Sequence, residues 1–525
     1  MLDDYKTKNI AGYLAKIFLN NPLTMVLAIS IILLGYITLN IAPREEDPQI
    51  EVSGGTIIVA IPGASPEAIN NVVIKPLERM IREIKGIENI YGTAMNSVGM
   101  INVQYLIGEN REASNLKLYD KVMQNMDNLP IGINMPLVKP FDIDIDIPVV
   151  TVAFYQKKDN NVSTIKQYRL VREVQQEINA INNVSKSTLK GIHNPQFNIN
   201  VDLDKLSSYH LSLGQISKSV KAIANNAPNI NAPIANNSII VFGVKNSIED
   251  VNDLKNLIIA QYMGSPIYLK NIANIEYGYD IQHFQNSLVS KRDANTSFDD
   301  PIKQVTLTIS KLKGTNAVHV AEDVLDLLNE KKDYFEKAGI AYIVTRNYGE
   351  RADEAVGELM RHLVITIFII GLILIPFLGW RESAVVSISV PMILATTLFI
   401  AYITDQTINR ITLFAFLLSL GLIVDDAIIV IENIHRRMHL KETSEHSFDR
   451  VIIEATEEIG PSTNIATIAI ILTMVPMGFV GGMMGQFMKP IPLNVPVALG
   501  VSLFVAYVFT PFLAKKMIKR VKGTH

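Results

Sequence analysis

Two kinds of pattern divide the chain. Unbroken apolar runs lie near the N-terminus and through the last third, and shorter alternating or helical-period stretches fill the space between them. Leu23 to Ala42 carries no charge over about 20 residues, enough to cross a hydrocarbon core about 30 Å thick. The mixed-charge segment 1–22 precedes it, and the run is too long for the core of a cleaved leader, so it reads as an uncleaved anchor over 23–42. Five more spans are predicted at 360–379, 383–403, 410–432, 462–482 and 491–513. Their separators are Gly379-Trp380-Arg381-Glu382, Asp405 to Arg410, the polar stretch 435–460, and Gln486 to Pro492. Pro376, Pro391, Pro476 and Pro496 lie within or at the ends of spans, where neighbouring helices satisfy the freed carbonyls.

The insert between the first and second spans, 43–358, changes period repeatedly. Strands are predicted at Thr56 to Ile61, Ile87 to Thr93, Met100 to Ile107, 148–155, 196–203, 304–310 and 341–346. Helices are predicted at 66–85, 112–128, 163–181 and 316–337, the first with Ser65 as N-cap and Pro66 at the first helical position. The Asn-rich stretch 191–279 reads as a smaller inserted subdomain, and 283–303 as an exposed loop. The fold class is therefore an α+β membrane protein: six transmembrane helices, with ferredoxin-like split βαβ subdomains inserted between helices 1 and 2.

Composition sharpens this picture. The 525 residues are 48% hydrophobic and 19% charged, below the roughly 25% charged residues of a soluble domain, and the formal charge of −3 argues against nucleic acid as a partner. With no cysteine there is no disulfide, thiolate metal site or cysteine nucleophile. No Walker motif is present, so ATP is not the expected energy source. Basic residues set the orientation. Lys6, Lys8 and Lys16 precede the first span; His435, Arg436, Arg437 and Lys441 follow the fourth; Lys515, Lys516, Lys519 and Arg520 follow the sixth. All fall on one side if both termini are cytoplasmic, with 43–358 extracytoplasmic and 514–525 a cytoplasmic tail.

The fourth span holds the most informative residues, Gly421-Leu422-Ile423-Val424-Asp425-Asp426-Ala427-Ile428-Ile429-Val430-Ile431-Glu432-Asn433. An ionised Asp near mid-bilayer costs roughly 2.5–3.5 kcal/mol on insertion scales, so two adjacent ones require a function. Like charges this close resist ionising together, which suits a site that loads and releases protons. A proton crossing 100 mV releases about 2.3 kcal/mol. Asp425 and Asp426 are thus the expected proton relay. Gly421, one turn earlier, offers a smooth face for helix packing, and Glu432 and Asn433 are candidates for support at the cytoplasmic edge.

These residues resemble the resistance–nodulation–division (RND) superfamily of proton-driven efflux transporters, along what looks like the N-terminal half of a full-length permease. The most specific likeness is Gly421 to Asn433 followed by Ile434-His435-Arg436. Ala42-Pro43-Arg44-Glu45-Glu46-Asp47-Pro48-Gln49, Pro62-Gly63-Ala64-Ser65-Pro66-Glu67, Thr345-Arg346-Asn347-Tyr348-Gly349-Glu350 and Asn409-Arg410-Ile411-Thr412-Leu413-Phe414 support it. Ile61 stands where the family often has an aromatic residue before Pro-Gly. The resemblance implies a porter domain above the membrane helices, a trimer, a periplasmic adaptor and an outer-membrane channel, an inner-membrane location, and the proton motive force in place of a cofactor. The paired acids match the hydrophobe and amphiphile efflux branch, which implies export of drugs or similar compounds. The family's second repeat supplies a lysine to these acids, and no lysine lies inside a predicted span here. A split transporter with a second half, a homo-oligomer of halves and a truncated product are the three arrangements this implies. Rival readings are a heavy-metal or lipid exporter of the same superfamily and a non-transporting membrane scaffold.

Weaker signals read as structural. Asp142, Asp144 and Asp146 share one strand face, expected to be solvated. Met474, Met477, Met483, Met484 and Met488 suit flexible packing better than a copper site. Residues 436–459 are expected to form an amphipathic helix on the cytoplasmic face. His193, His210, His283 and His319 lack metal-ligand spacing, and no metal site is assigned.

Overall fold

In the computed structural model, residues 5–518 are described except 51, 130–132, 134, 143–145, 158–161, 192–194, 225–229, 235–237, 243–247, 249, 263, 280–285, 291–300 and 441–445. Asp144, His193, His283, Lys441, Lys519 and Arg520 lie outside the described residues, as does most of the predicted loop 283–303.

Among the described residues, six helices are long and apolar enough to cross a membrane: Leu23–Ile41 (span 1), Tyr348–Leu378 (span 2), Trp380–Ile403 (span 3), Arg410–Met438 (span 4), Phe448–Phe479 (span 5) and Gly482–Met517 (span 6). Side-chain caps set three of their starts. Asn347 accepts from the Glu350 amide, Asn409 from the Ile411 and Thr412 amides, and Ser447 from the Arg450 amide. Spans 2 and 5 therefore begin at Tyr348 and Phe448, well before the expected 360 and 462, because hydropathy marks the apolar part of a helix and capping marks its beginning.

The amphipathic helix expected over 436–459 is not a separate element. Residues 436–438 are the last turn of span 4, and Phe448–Met474 is one continuous helix. At the far end of span 5, Pro476 lacks an amide hydrogen and the helix tightens into a 3-10 turn, Val475–Phe479. Spans 4, 5 and 6 share one apolar core with span 3, containing Ile423, Val430, Ile452, Val505 and Phe509. Span 1 touches this bundle through a narrow stripe at Thr24, Ala28, Gly35 and Thr38. A Cβ at Gly35 would lie 2.3 Å from the Ala395 Cβ, so spans 1 and 3 meet nearly backbone to side chain.

The insert contains two units of the same βαββαβ connectivity. In the first, β1 (Ser53–Ala60), β2 (Ile87–Met95), β3 (Val98–Tyr105) and β4 (Leu137–Asp142) form an antiparallel sheet in the order β2-β3-β1-β4. Alternate residues Ile57, Val59, Ile101, Val103 and Tyr105 point to the core and pack with Val73, Leu77 and Leu118 from the covering helices. Ser65 and Pro66 start the first helix as expected. The helix predicted over 66–85 instead ends at Ile81 and contains a π-helical turn, Asn70–Ile74, beside Pro76, which cannot donate in a regular ladder.

In the second unit, β5 (Val150–Gln156), β6 (Val184–Lys190), β14 (Ile302–Lys311) and β15 (Ile340–Asn347) pair antiparallel, with β14 between β5 and β6 and with β15 beyond β5. Phe154, Val171, Leu307, Val324 and Phe335 lie in its core. Between β6 and β14 the chain makes β7 (Pro195–Val201), β8 (Ile230–Ile234), β9 (Ser238–Phe242), β10 (Ile258–Tyr262), β11 (Ser265–Tyr268), β12 (Ala273–Tyr279) and β13 (Ser287–Val289). This insertion has its own small core at Leu206, Leu254, Ile267, Leu269 and Ile275. β13 pairs with β14, so the predicted loop 283–303 contains a short strand. The strands β4 and β6 were not anticipated from the sequence pattern.

A candidate proton site in span 4

Span 4 runs from Arg410 to Met438, which places Asp426 about 24 Å from one end and about 18 Å from the other at 1.5 Å per residue. Successive residues of a helix point about 100° apart, and the two acids separate accordingly. Asp426 is 5% exposed and points into the bundle. Asp425 is exposed on the outer side of the helix. Of the two expected relay acids one is enclosed, and its neighbour faces away from the chain.

Asp426 is held by hydroxyls from two other spans. Ser502 of span 6 lies 2.7 Å from Oδ2, and Thr467 of span 5 lies 3.4 Å from Oδ1. The Ser502 Oγ is also 2.7 Å from the Ile423 carbonyl oxygen, one turn back on span 4. A hydroxyl has one proton and can donate to only one of these acceptors. When Asp426 is a carboxylate, Ser502 donates to it. When Asp426 is an acid, its own proton can go to Ser502 Oγ and the serine proton turns to Ile423. The same atoms thus satisfy both protonation states with a single hydroxyl rotation. Ser502 and Thr467 were not singled out in the sequence: spans 5 and 6 carry several hydroxyl side chains, Thr463, Thr473 and Thr510 among them, and nothing in the chain marks which of these meet Asp426.

The other expected site residues divide similarly. Gly421 is exposed, and a Cβ built on it would meet no atom within 4 Å, so among the described residues no helix packs on it. Glu432 is also exposed. Asn433 is buried and ties spans 4 and 5 together: its Nδ2 donates to the Ala455 carbonyl at 2.7 Å and to Glu458 at 3.1 Å, while its Oδ1 accepts from Arg436. Arg436 and Arg437 also pair with Glu458, and Arg437 with Glu454. Phe414, Leu418, Gly421, Asp425 and Glu432 form one uncovered stripe along span 4, apolar at one end and acidic toward the other.

The segment before span 1 forms a helix, Ile10–Leu19, that docks on span 5. The buried Glu457 carboxylate accepts from the Tyr5 hydroxyl and the Lys8 amide, and the Asn9 side chain donates to the Glu457 carbonyl at 2.6 Å. Burial and the Glu457 carboxylate push the Tyr5 phenol up, so it remains a donor.

The remaining signals lie elsewhere. A cavity of about 500 Å³ lined by Gln406, Thr407, Asn409, Thr412, Lys489 and Asn494 sits at the start of span 4, nearly four turns from Asp426. Met474, Met477 and Met488 pack on the bundle core, whereas Met483 and Met484 are exposed. Asp146 pairs with Lys186 at 2.7 Å. Among the described residues, no group of three or more His, Cys, Asp or Glu side chains converges as metal ligands.

The profile of the AcrB/AcrD/AcrF family matches residues 14–525, so the likeness includes both the insert and the membrane helices. That match and the six apolar helices make this a multi-pass inner-membrane protein. The chain belongs to the AcrB/AcrD/AcrF family, whose members are RND-type transporters.

Proposed function

We propose that this chain is a permease subunit, or half-subunit, of a proton-driven pump that exports drugs or other amphiphilic compounds. Asp426 takes up and releases the proton, and Asp425 on the adjacent outer face exchanges charge with a partner that covers the stripe from Phe414 to Glu432. That partner is a second six-span half or another copy of the chain. Both termini are cytoplasmic, and the two ferredoxin-like units with their insertion are the periplasmic porter. Family membership supports a trimer working with an adaptor and an outer-membrane channel.

The enclosed Asp426, with hydroxyls from spans 5 and 6 upon it, is the observation that carries this reading. A carboxyl this deep is costly unless it is used, and its surroundings serve both protonation states. Asp426→Asn keeps the shape and removes the titration. Membrane vesicles containing the complete pump should lose substrate-driven proton movement with this variant, at unchanged abundance. Undiminished proton movement in the variant contradicts the relay role.

A further inference from the structure

The strongest polar junction outside the proton site lies where the insert meets the membrane helices, on the segment Pro43–Asp47 after span 1. Its backbone is held on two sides. The Glu45 amide donates to the Ile408 carbonyl at 2.9 Å, the Ile408 amide to the Pro43 carbonyl at 2.8 Å, and the Arg410 amide to the Glu46 carbonyl at 3.1 Å. On the other side, the Ala317 amide donates to the Arg44 carbonyl at 2.9 Å, at the start of the helix after β14. Short bonds between 43–47 and 408–410 thus fix the beginning of span 4, and the same five residues hold the second porter unit.

Side chains repeat the connection. Lys311, the last residue of β14, pairs with Glu45, and these residues are only 6% and 5% exposed. The second Glu45 oxygen accepts from the Thr407 hydroxyl at 2.9 Å, and Gln49 donates to the first at 2.7 Å. Thr407 in turn accepts from Asn409, the residue that caps span 4. A continuous path therefore runs from β14 through Lys311, Glu45, Thr407 and Asn409 to the helix that carries Asp426. Around it, Arg44 pairs with Asp353, Arg351 with Glu46 and Arg410 with Asp47. Two buried atoms of this junction, Arg44 Nε and Glu46 Oε2, have no hydrogen-bond partner among the described residues. They give the junction unused bonding capacity for a second arrangement.

We infer that Lys311 and Glu45 are positioning residues that transmit movement of span 4 to the porter through Thr407 and Asn409. A buried ion pair is a poor source of net stability, because desolvating both ions offsets their attraction. It is a stiff and directional link, because separating the partners leaves a buried charge unpaired. A displacement at the start of span 4 is carried to β14, the strand on which β5, β6 and β13 all depend. Span 2 leaves the same sheet directly from β15, so the path through Lys311 and Glu45 is a second link between this sheet and the membrane helices, reaching it at β14.

This inference rests on the proton role of Asp426, and the test separates the two. The chain has no cysteine, so a single introduced cysteine labels one place. A bimane fluorophore goes on Leu417→Cys in span 4, or on Asp323→Cys on the exposed side of the porter helix Ala317–Glu330, in the complete pump reconstituted in lipid vesicles, with any partner chain made cysteine-free. A pH step should change both signals, and Asp426→Asn should silence both. Lys311→Met and Glu45→Gln should retain the span 4 response and lose the porter response, whereas Lys311→Arg retains both. Thr407→Val, which removes the hydroxyl's two hydrogen bonds, to Glu45 and from Asn409, and leaves the ion pair, should reduce the porter response several-fold while leaving the span 4 response in place. It provides the test if the ion-pair variants fold poorly. A porter response of full amplitude in Lys311→Met, or in Thr407→Val, overturns the transmission role alone. Silence of both reporters in the otherwise unaltered chain overturns the proton role and this inference with it.

Discussion

Ser502 and Asp426 face each other across the interior of the bundle at 2.7 Å, and the serine has the Ile423 carbonyl as a second acceptor at the same distance. Removing the hydroxyl by Ser502→Ala leaves Asp426 with the longer Thr467 contact alone. A hydrogen bond to a charged group contributes about 1.5–3 kcal/mol. The bond to the ionised carboxylate is stronger than the one to the neutral acid by about 1 kcal/mol, so proton-coupled transport by Ser502→Ala should fall several-fold. Stopped-flow measurement of proton release in vesicles checks this, and an unchanged rate would separate Ser502 from the proton step.

The uncovered stripe of span 4 predicts a neighbour. With Leu418→Cys as this chain's only cysteine, labelling by benzophenone-maleimide followed by irradiation, which inserts into C–H bonds of whatever lies beside it, should give a crosslinked species of higher mass in native membranes. Ala427→Cys, 1% exposed on the opposite side of the helix, should give none. Crosslinking at both positions, or at neither, is incompatible with a partner seated on this stripe.

The N-terminal segment depends on one carboxylate. Glu457→Ala removes the acceptor for the Tyr5 hydroxyl and the Lys8 amide and exposes the segment bearing Lys6, Lys8 and Lys16. Limited trypsin digestion from the face bearing the termini should cut there several-fold faster than in the parent chain. Equal digestion rates would show that the contact of Ala11 with Gly460 holds the helix without the carboxylate.

The approach of spans 1 and 3 leaves no room at Gly35. Gly35→Val forces side-chain atoms onto Ala395, and overpacking of this kind costs about 1–3 kcal/mol. The melting temperature in detergent should fall by several degrees, and a compensating Ala395→Gly should recover part of the loss. An unchanged melting temperature in Gly35→Val would mean that span 1 can move away freely.

What the sequence discloses here follows from how long each signal is. Spans are legible because an apolar run of about 20 residues has few alternatives, and Ser65-Pro66 is legible because cap and first-turn proline agree. β6, Val184-Ser185-Lys186-Ser187-Thr188-Leu189-Lys190, has five polar residues in seven and is recognised only once β14 lies beside it. The adjacency of Asp425 and Asp426 is visible in the chain, yet their separation into one enclosed and one exposed carboxyl depends on which face the neighbouring spans cover. Gly421 shows the same limit: a small residue permits close packing but does not say which molecule comes close. Ser502 and Thr467 are distant in sequence from span 4 and become recognisable only where three helices converge.

The position of β14 also bears on how the protein is made. β5 and β6 do not pair with each other: β14, whose last residue is Lys311, lies between them, and the other edge of β5 is covered by β15. More than a hundred residues are synthesised after β6 before that strand is complete. Until then the two earlier strands have open edges, a situation that favours mispairing and digestion. Quality-control proteases should therefore meet a nascent molecule most often between the emergence of Val184 and that of Lys311, and a delay in translation within this interval should lower yield more than the same delay elsewhere.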